Sequence, residues 1–260
     1  IGTILAGLYI GMGNTDKTVL LLAEESVALD RKTGNMPNLS FSLGNLGTIY
    51  FILGEWDKSE QHLTEALNLS QKLNQLPQIA TNSMNLGILY GIYKGEYPKA
   101  RELLEKAVEM CEKAGAKYWQ MWISEFLIWI YIEHGKLQEA SDLLDSVHKF
   151  VLEAKDTFLI ARAEALRGML LRAQKKWEES IEHFEKSLQE YESINARRWL
   201  LYHFAKFCLS EYARVYLERD QKGDREKAHN LLNQALEIFQ KMGAKKEIEK
   251  IIAKKKLLSA

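Results

Sequence analysis

Apolar and polar positions recur along the chain with the period of amphipathic α-helices. In residues 97–113 the apolar side chains follow three- and four-residue spacings that place them on one helical face: Leu103, Leu104, Ala107, Val108 and Met110. Gly95 ends the preceding apolar stretch, and Pro98 follows near the first position of the next helix, where its missing amide hydrogen is not needed. No stretch alternates as a strand would, so the sequence predicts an all-α fold.

The helical stretches come in pairs that repeat about every 40 residues. The breaks within the pairs are separated by 41, 41, 40, 40 and 48 residues, and they fall at Gly13, Gly54, Gly95, Gly135, Lys175 and Gly223. The same intervals separate the large apolar residues of the second helices: Leu22, Leu63, Leu104, Leu144, Phe184 and Leu232. One such pair cannot bury its own apolar face, so the pattern predicts a stacked α-solenoid, a right-handed α-α superhelix.

This register divides the chain into six helix pairs and a C-terminal capping helix. The predicted repeats are residues 1–36, 37–76, 77–116, 117–156, 157–196 and 197–243, with the cap at 244–260. We expect a single solenoid domain over 1–260 and interpret the chain as a piece of a longer protein, because the first repeat lacks the start of its first helix. Leu5, Leu8 and Tyr9 then lie on an uncovered face, which predicts self-association through this end.

The residues around two of the breaks resemble the tetratricopeptide repeat. The second repeat has the run Asn45-Leu46-Gly47, then Tyr50, Gly54, Ser59, Leu63 and Ala66, and the third has Asn85-Leu86-Gly87, then Tyr90, Gly95, Ala100, Leu104 and Ala107. A standard repeat has about 34 residues. The longer repeats here are similar to the long-helix subgroup of kinesin light chains, Pins-type polarity scaffolds, bacterial Rap regulators and the maltose-regulon activator. The resemblance covers essentially the whole chain.

Composition and charge narrow the function classes. Thirty-five basic and 35 acidic residues leave no net charge, which argues against a nucleic-acid binder. No apolar run is long enough to span a membrane. Cys111 and Cys208 have neither metal nor redox spacing and form no disulfide framework, which fits a reducing, cytoplasmic compartment.

Catalytic motifs are not evident in the sequence. Residues 7–18 contain glycines and a Lys-Thr pair, but a phosphate loop needs glycine directly before the lysine, and Asp16 stands there. The histidines lack the spacing of a helical zinc site, and no nucleophile elbow is visible. We therefore expect a protein that is not an enzyme and that carries no metal and no cofactor.

The first helices of stacked repeats line a concave groove, and the resemblance implies that this groove binds the partner. The expected binding residues flank the small-residue column of these helices: Asn45, Thr48, Asn85, Ile88, Trp122, Trp129, Arg162, Arg172, Phe207 and Arg214. The resemblance assigns Asn45 and Asn85 to hydrogen bonds with a peptide backbone, since an amide both donates and accepts. The alternative is a hydrogen bond between helices.

The fourth repeat concentrates aromatic residues. Trp122 and Trp129 are seven residues apart and share a helical face, so they are either groove anchors or part of the core. Arg162, Arg172 and Arg214 would bind acidic groups of a partner, or else be solvated.

Two functions follow from these patterns. The first is a scaffold that binds a protein or peptide segment as the sensor or partner-binding domain of an intracellular regulator; the segment is acidic if the arginines contact it. The alternative is a ligand-gated module that binds a small molecule or short signal peptide and controls an upstream ATPase or DNA-binding domain. Neither nucleic acid nor membrane is an expected partner of this domain.

Overall fold

The computed structural model describes residues 17–194 and 204–259, and all regular structure in these ranges is helical. The chain divides into two compact units, Ile1–Ile130 and Tyr131–Ala260. The helices that lie within the first unit are α1 (Lys17–Thr33), α2 (Met36–Leu53), α3 (Trp56–Lys72), α4 (Leu76–Ile88) and α5 (Tyr97–Lys113). Helix α6 (Lys117–Glu133) begins in the first unit and ends in the second. The second unit has α7 (Leu137–Ala154), α8 (Thr157–Ala173), α9 (Trp177–Ser193), α10 (Ser210–Arg219), α11 (Asp224–Met242) and α12 (Lys245–Ser259).

Helices that follow one another in sequence pack against each other within each unit. In the first unit α2 packs on α3 and α4 on α5, and in the second unit α8 packs on α9 and α10 on α11. The interiors of these pairs hold the predicted apolar column, and Leu63, Leu104 and Phe184 have no exposed surface. The predicted all-α architecture of helix pairs is confirmed.

Most of the predicted breaks have the left-handed backbone that ends a helix. The φ angles of Gly54, Gly95 and Gly135 are +79°, +69° and +73°, and Lys175, which stands in the glycine column, has a φ of +60°. The sixth repeat differs from the prediction, because Asp220 ends α10 with a φ of +50° and Gly223 instead precedes α11. The longer connection of this repeat therefore has two left-handed turns where the others have one. Gly13 lies outside the described residues.

Small residues let the two helices of a repeat approach closely. A Cβ atom at Gly47 would lie 2.6 Å from the Cγ of Leu63, and one at Gly87 would lie 2.7 Å from the Cγ of Leu104. At Gly168 the neighbour is the ring of Phe184, at 2.7 Å. These distances are too short for any real carbon contact, so only glycine permits this helix spacing.

We predict that Gly87→Leu destabilises the first unit by about 1–3 kcal/mol or more, as overpacking does elsewhere. The Cβ would also lie 3.2 Å from the backbone oxygen of Ala100, which cannot rotate away as a side chain can. Urea unfolding followed by circular dichroism measures the change. Gln61→Leu, on the exposed side of α3, is the matched control, and an equal loss in both variants would contradict the predicted contact.

One helix contains a π-helical turn. Tyr50 and Tyr90 are 40 residues apart, whereas Gly54 and Gly95 are 41 apart. The third repeat thus has one extra residue between its tyrosine and its glycine, and this stretch forms the π-helical segment Leu89–Lys94. A π turn is the usual way in which a helix accommodates one added residue. A second π-helical segment, Phe204–Leu209, leads into α10.

The expected self-association surface at Leu5, Leu8 and Tyr9 lies outside the described residues, so it stays a prediction. Among the helices that are described, none is long and apolar enough to cross a membrane.

Candidate binding cleft

An open cleft lies in the first unit among helices α2, α4 and α6, which are the first helices of three consecutive repeats. Its volume is about 330 Å³. Its lining comes from α2, from α4, from the end of α5 and from the start of α6: Phe41, Gly44, Asn45, Thr48, Leu76, Pro77, Gln78, Ala80, Thr81, Asn82, Met84, Met110, Cys111, Ala114, Ala116, Trp119 and Ile123. The lining residues are apolar or neutral polar, and none carries a formal charge.

The cleft includes some of the predicted residues and not others. Asn45 and Thr48 line it, and both side chains are half-buried. The side-chain amide of Asn85 donates a 3.0 Å hydrogen bond to the Thr48 hydroxyl, which itself donates to the Gly44 carbonyl at 2.8 Å. Asn85 thus makes the inter-helix bond that was the alternative reading, while Asn45 is the asparagine at the cleft surface. Ile88 is 9% exposed and does not line the cleft.

Asn82 is a cleft residue that the sequence analysis missed. It is 2% exposed, and its amide nitrogen Nδ2 has no hydrogen-bond partner among the described residues. Its Oδ1 lies 2.5 Å from where a Cβ of Gly44 would be, so the glycine leaves the space that the amide occupies. A buried donor without an acceptor costs about 1–3 kcal/mol.

The aromatic side chains of α6 differ greatly in how far they are exposed to solvent. Trp119 is 55% exposed and lines the cleft, and its ring lies edge-on to that of Trp122 at 5.4 Å. Trp122 is half-buried and packs edge-on against Phe126 at the same distance. Trp129 is only 6% exposed, which corresponds to the core alternative rather than to a position on an open groove. The seven-residue spacing fixes the helical face, but burial of that face increases along α6.

The arginines expected to bind acidic groups already have partners in the second unit. Arg172 is 5% exposed, and its Nη1 lies 2.7 Å from Glu218 while its Nη2 lies 3.4 Å from Glu133. Arg214 lies 2.9 Å from both Glu133 and Glu211. The positive charges of both arginines are therefore compensated within the chain.

Arg162 and Phe207 are also buried rather than accessible. Arg162 is 1% exposed, and its guanidinium lies 5.7 Å from the centroid of the Phe158 ring and 5.1 Å from that of Phe207. Such cation–π contacts stabilise a desolvated guanidinium. Phe207 is 3% exposed. These two side chains stabilise the interior of the second unit and offer no surface to a partner.

Metal clusters and cysteine thiols are two kinds of group that could perform chemistry. No group of histidine, cysteine, aspartate or glutamate there could hold a metal ion. The two cysteines are buried and free, and burial raises the pKa of Cys208 to about 12, which suppresses the reactive thiolate.

The sequence profile of the tetratricopeptide repeat matches residues 38–113 and 159–241. These segments make up more than half of the chain, which therefore belongs to the tetratricopeptide repeat family. No curated protein sequence matches it.

Solved structures share the fold at low sequence identity. The apo form of RapI superposes with a TM-score of 0.73 at 17% identity, over 96% of this chain and 83% of RapI. A Rap protein complexed with competence and sporulation factor gives 0.61 at 12% identity, over 99% and 73%. BtubC from P. vanneervenii gives 0.61 at 18% identity, over 86% and 90%. The predicted solenoid of long repeats is confirmed, and at these identities the likeness concerns the fold alone.

Proposed function

We propose that this protein is a non-catalytic scaffold that binds a peptide segment in the cleft among α2, α4 and α6, as the sensor or partner-binding domain of a cytoplasmic regulator. The observation that carries the proposal is the open cleft itself, which three first helices line without a charged residue and at which the rings of Phe41 and Trp119 are exposed. An extended peptide can place an apolar side chain against such rings. Repeats of this family are generally binding scaffolds rather than enzymes.

The lining indicates what kind of segment would bind. Phe41 and Trp119 are 42% and 55% exposed at the cleft and would contact an apolar side chain. The amide of Asn45 can both donate to and accept from a peptide backbone. A carboxylate in this uncharged cleft would lose its hydration without a counterion, which is costly. We therefore propose an uncharged, apolar segment for this cleft, rather than the acidic one that the arginines suggested.

The second candidate is a ligand-gated module that takes a short signal peptide or a small molecule and controls an upstream ATPase or DNA-binding domain. Two observations favour it. The cleft volume of about 330 Å³ lies at the small end of ligand pockets, which span about 300–1,000 Å³. One structurally similar protein, a Rap protein, is complexed with competence and sporulation factor.

Selection from a random peptide library tests the proposal. Peptides displayed on phage are selected on the wild-type chain and counter-selected on Thr81→Trp, in which an indole occupies the cleft. Calorimetry then gives the affinity of the selected peptides, and thermal shift against a metabolite panel tests the second candidate. Stabilisation by a metabolite, with no peptide selected, would favour the second candidate over the first.

We expect Trp119→Ala to weaken binding of the selected peptides about 30-fold, because truncating an aromatic anchor typically costs about 2 kcal/mol. Stability should hardly change, since the ring is more than half exposed. Leu73→Ala is the matched control, because Leu73 is an exposed apolar residue of the first unit outside the cleft. A parallel selection without the Thr81→Trp step is the check: if its peptides bind wild type, Thr81→Trp and Trp119→Ala equally well, the site lies elsewhere.

A further inference from the structure

A histidine lies where the first three helices of the chain meet. The imidazole of His62, on α3, stacks on the ring of Tyr50, on α2, with the centroids 5.5 Å apart and the planes inclined by 9°. The Tyr50 hydroxyl donates a 2.7 Å hydrogen bond to Glu24 of α1. Arg31 of α1 pairs with Glu65 of α3 at 2.7 Å. We call these five residues the histidine junction.

The ring nitrogen Nδ1 of His62 is buried and has no hydrogen-bond partner among the described residues. A neutral imidazole carries its proton on only one nitrogen, so the surroundings of Nδ1 fit the tautomer that is protonated on Nε2. A protonated imidazole donates through both nitrogens. The new N–H at Nδ1 would then be a buried donor without an acceptor, which is unfavourable. The geometry therefore favours the neutral ring.

The ionisable groups around the ring offer an imidazolium no vacant partner. They come from α1, from α2, from the residue before α3 and from α3 itself: Glu24, Arg31, Tyr50, Glu55, Lys58 and Glu65. The three carboxylates among them bind the tyrosine hydroxyl, the lysine and the arginine, respectively. Helix α4, which also packs on α3, has no ionisable side chain. Protonation of His62 would therefore place an additional positive charge beside groups that are already paired.

The titration of the junction agrees with this geometry. Burial lowers the pKa of His62 below its ordinary value; repulsion by Arg31 and Lys58 reinforces the shift, and the attraction of Glu65 and Glu24 does not outweigh it. Burial and the bond to Glu24 raise the pKa of Tyr50 to about 12, so this hydroxyl remains a donor. Between His62 and Tyr50, the histidine is thus the ring that changes its charge in mild acid.

We propose that His62 is a pH-sensitive switch whose protonation in mild acid loosens the packing of α1, α2 and α3. Loosening would expose the apolar side chains that α1 buries against α2: Val19, Ala23 and Val27. The proposal concerns the start of the first unit and does not depend on peptide binding in the cleft.

The direction of the pH effect follows from proton linkage. An opened junction binds a proton on His62 near the ordinary histidine pKa of about 6.5, whereas the closed junction binds it only at lower pH. Above about pH 6.5 the ring is neutral in both forms, and the junction has its full stability. As the pH falls below this value the open form gains protons first, so its population rises by at most about tenfold per pH unit.

Hydrogen exchange followed by mass spectrometry at pH 7.5 and 5.5, corrected for intrinsic rates, tests the proposal. We expect the protection of α1, α2 and α3 to fall severalfold at pH 5.5, up to the limit of about tenfold for one proton and one pH unit. His62→Phe keeps a ring that can stack on Tyr50 but cannot be charged, so it should remove this fall. His229→Phe, at an exposed histidine of the second unit, should leave the fall unchanged.

A proton NMR titration of His62 in the wild-type chain gives a second readout, which decides even if His62→Phe does not fold. We expect a titration midpoint below about 6.5. Three results would overturn the proposal: a midpoint at or above this value, an equal loss of protection in wild type and His62→Phe, or a loss in α8 and α9 as large as that in α1 to α3.

Discussion

Replacing Trp129 with alanine should lower the free energy of unfolding by about 3–5 kcal/mol, the usual cost of deleting a buried large aromatic side chain. Trp129 is 6% exposed and is flanked along α6 by Ile128 and Ile130, which are 0% and 2% exposed. The lost indole would leave a cavity in a part of α6 where the side chains are buried. Urea unfolding followed by circular dichroism measures the loss.

The matched control lies on the same helix. Trp119→Ala removes an identical side chain that is 55% exposed, so its unfolding free energy should change by less than about 1 kcal/mol. Trp129→Ala should thus lower the stability of the protein, whereas Trp119→Ala should weaken peptide binding and leave stability almost unchanged. An equal loss of unfolding free energy in both variants would contradict the different burial of the two tryptophans in the structure. A Trp129→Ala variant as stable as wild type would contradict it as well.

The second large effect is expected at Arg172. Arg172→Met keeps most of the side-chain volume but removes one of the two guanidinium groups that contact Glu133 and Glu218. Arg214 still lies 2.9 Å from Glu133 and 3.4 Å from Glu218, so neither carboxylate is left without a positive partner. We therefore expect a loss of about 1.5–3 kcal/mol, the usual contribution of hydrogen bonds to a charged group. Urea unfolding of the variant gives the value.

Arg167→Met is the control for this substitution. Arg167 lies on the same helix α8, but its partner Asp145 is 64% exposed, and exposed pairs contribute only about 0–1 kcal/mol. A large loss in both variants would mean that the arginine stems, rather than the charges, stabilise the unit. A small loss in Arg172→Met would mean that Arg214 alone compensates Glu133 and Glu218.

The helix pairs could be predicted because the sequence repeats the same physical requirements. In the second and third repeats a left-handed residue ends the first helix, and a glycine lies where the two helices of the repeat touch. Gly54 and Gly47 meet these requirements in the second repeat, and Gly95 and Gly87 meet them in the third. Lys175 shows that the position, rather than the glycine itself, defines the pattern.

The candidate site was harder to predict, because the burial of a side chain and the identity of its ion-pair partners depend on residues that are distant in the sequence. Trp122 and Trp129 share a face, yet only the fold decides which part of that face is covered. Arg172 binds Glu218, 46 residues away, and Arg214 binds Glu133, 81 residues away, so their charges gave no sign of compensation. Asn82 was missed because nothing in its local sequence marks an amide without a partner.

The π-helical turn Leu89–Lys94 bears on how this array can change in evolution. Repeat proteins are usually described as gaining or losing whole repeats, because a shorter insertion would rotate every later side chain out of register. Here one added residue is confined to a single wide turn. Gly91 lies in that turn, where a Cβ would lie 3.1 Å from the Cβ of Ala100. The next helix still begins after the left-handed Gly95, so the added residue does not change how α5 starts.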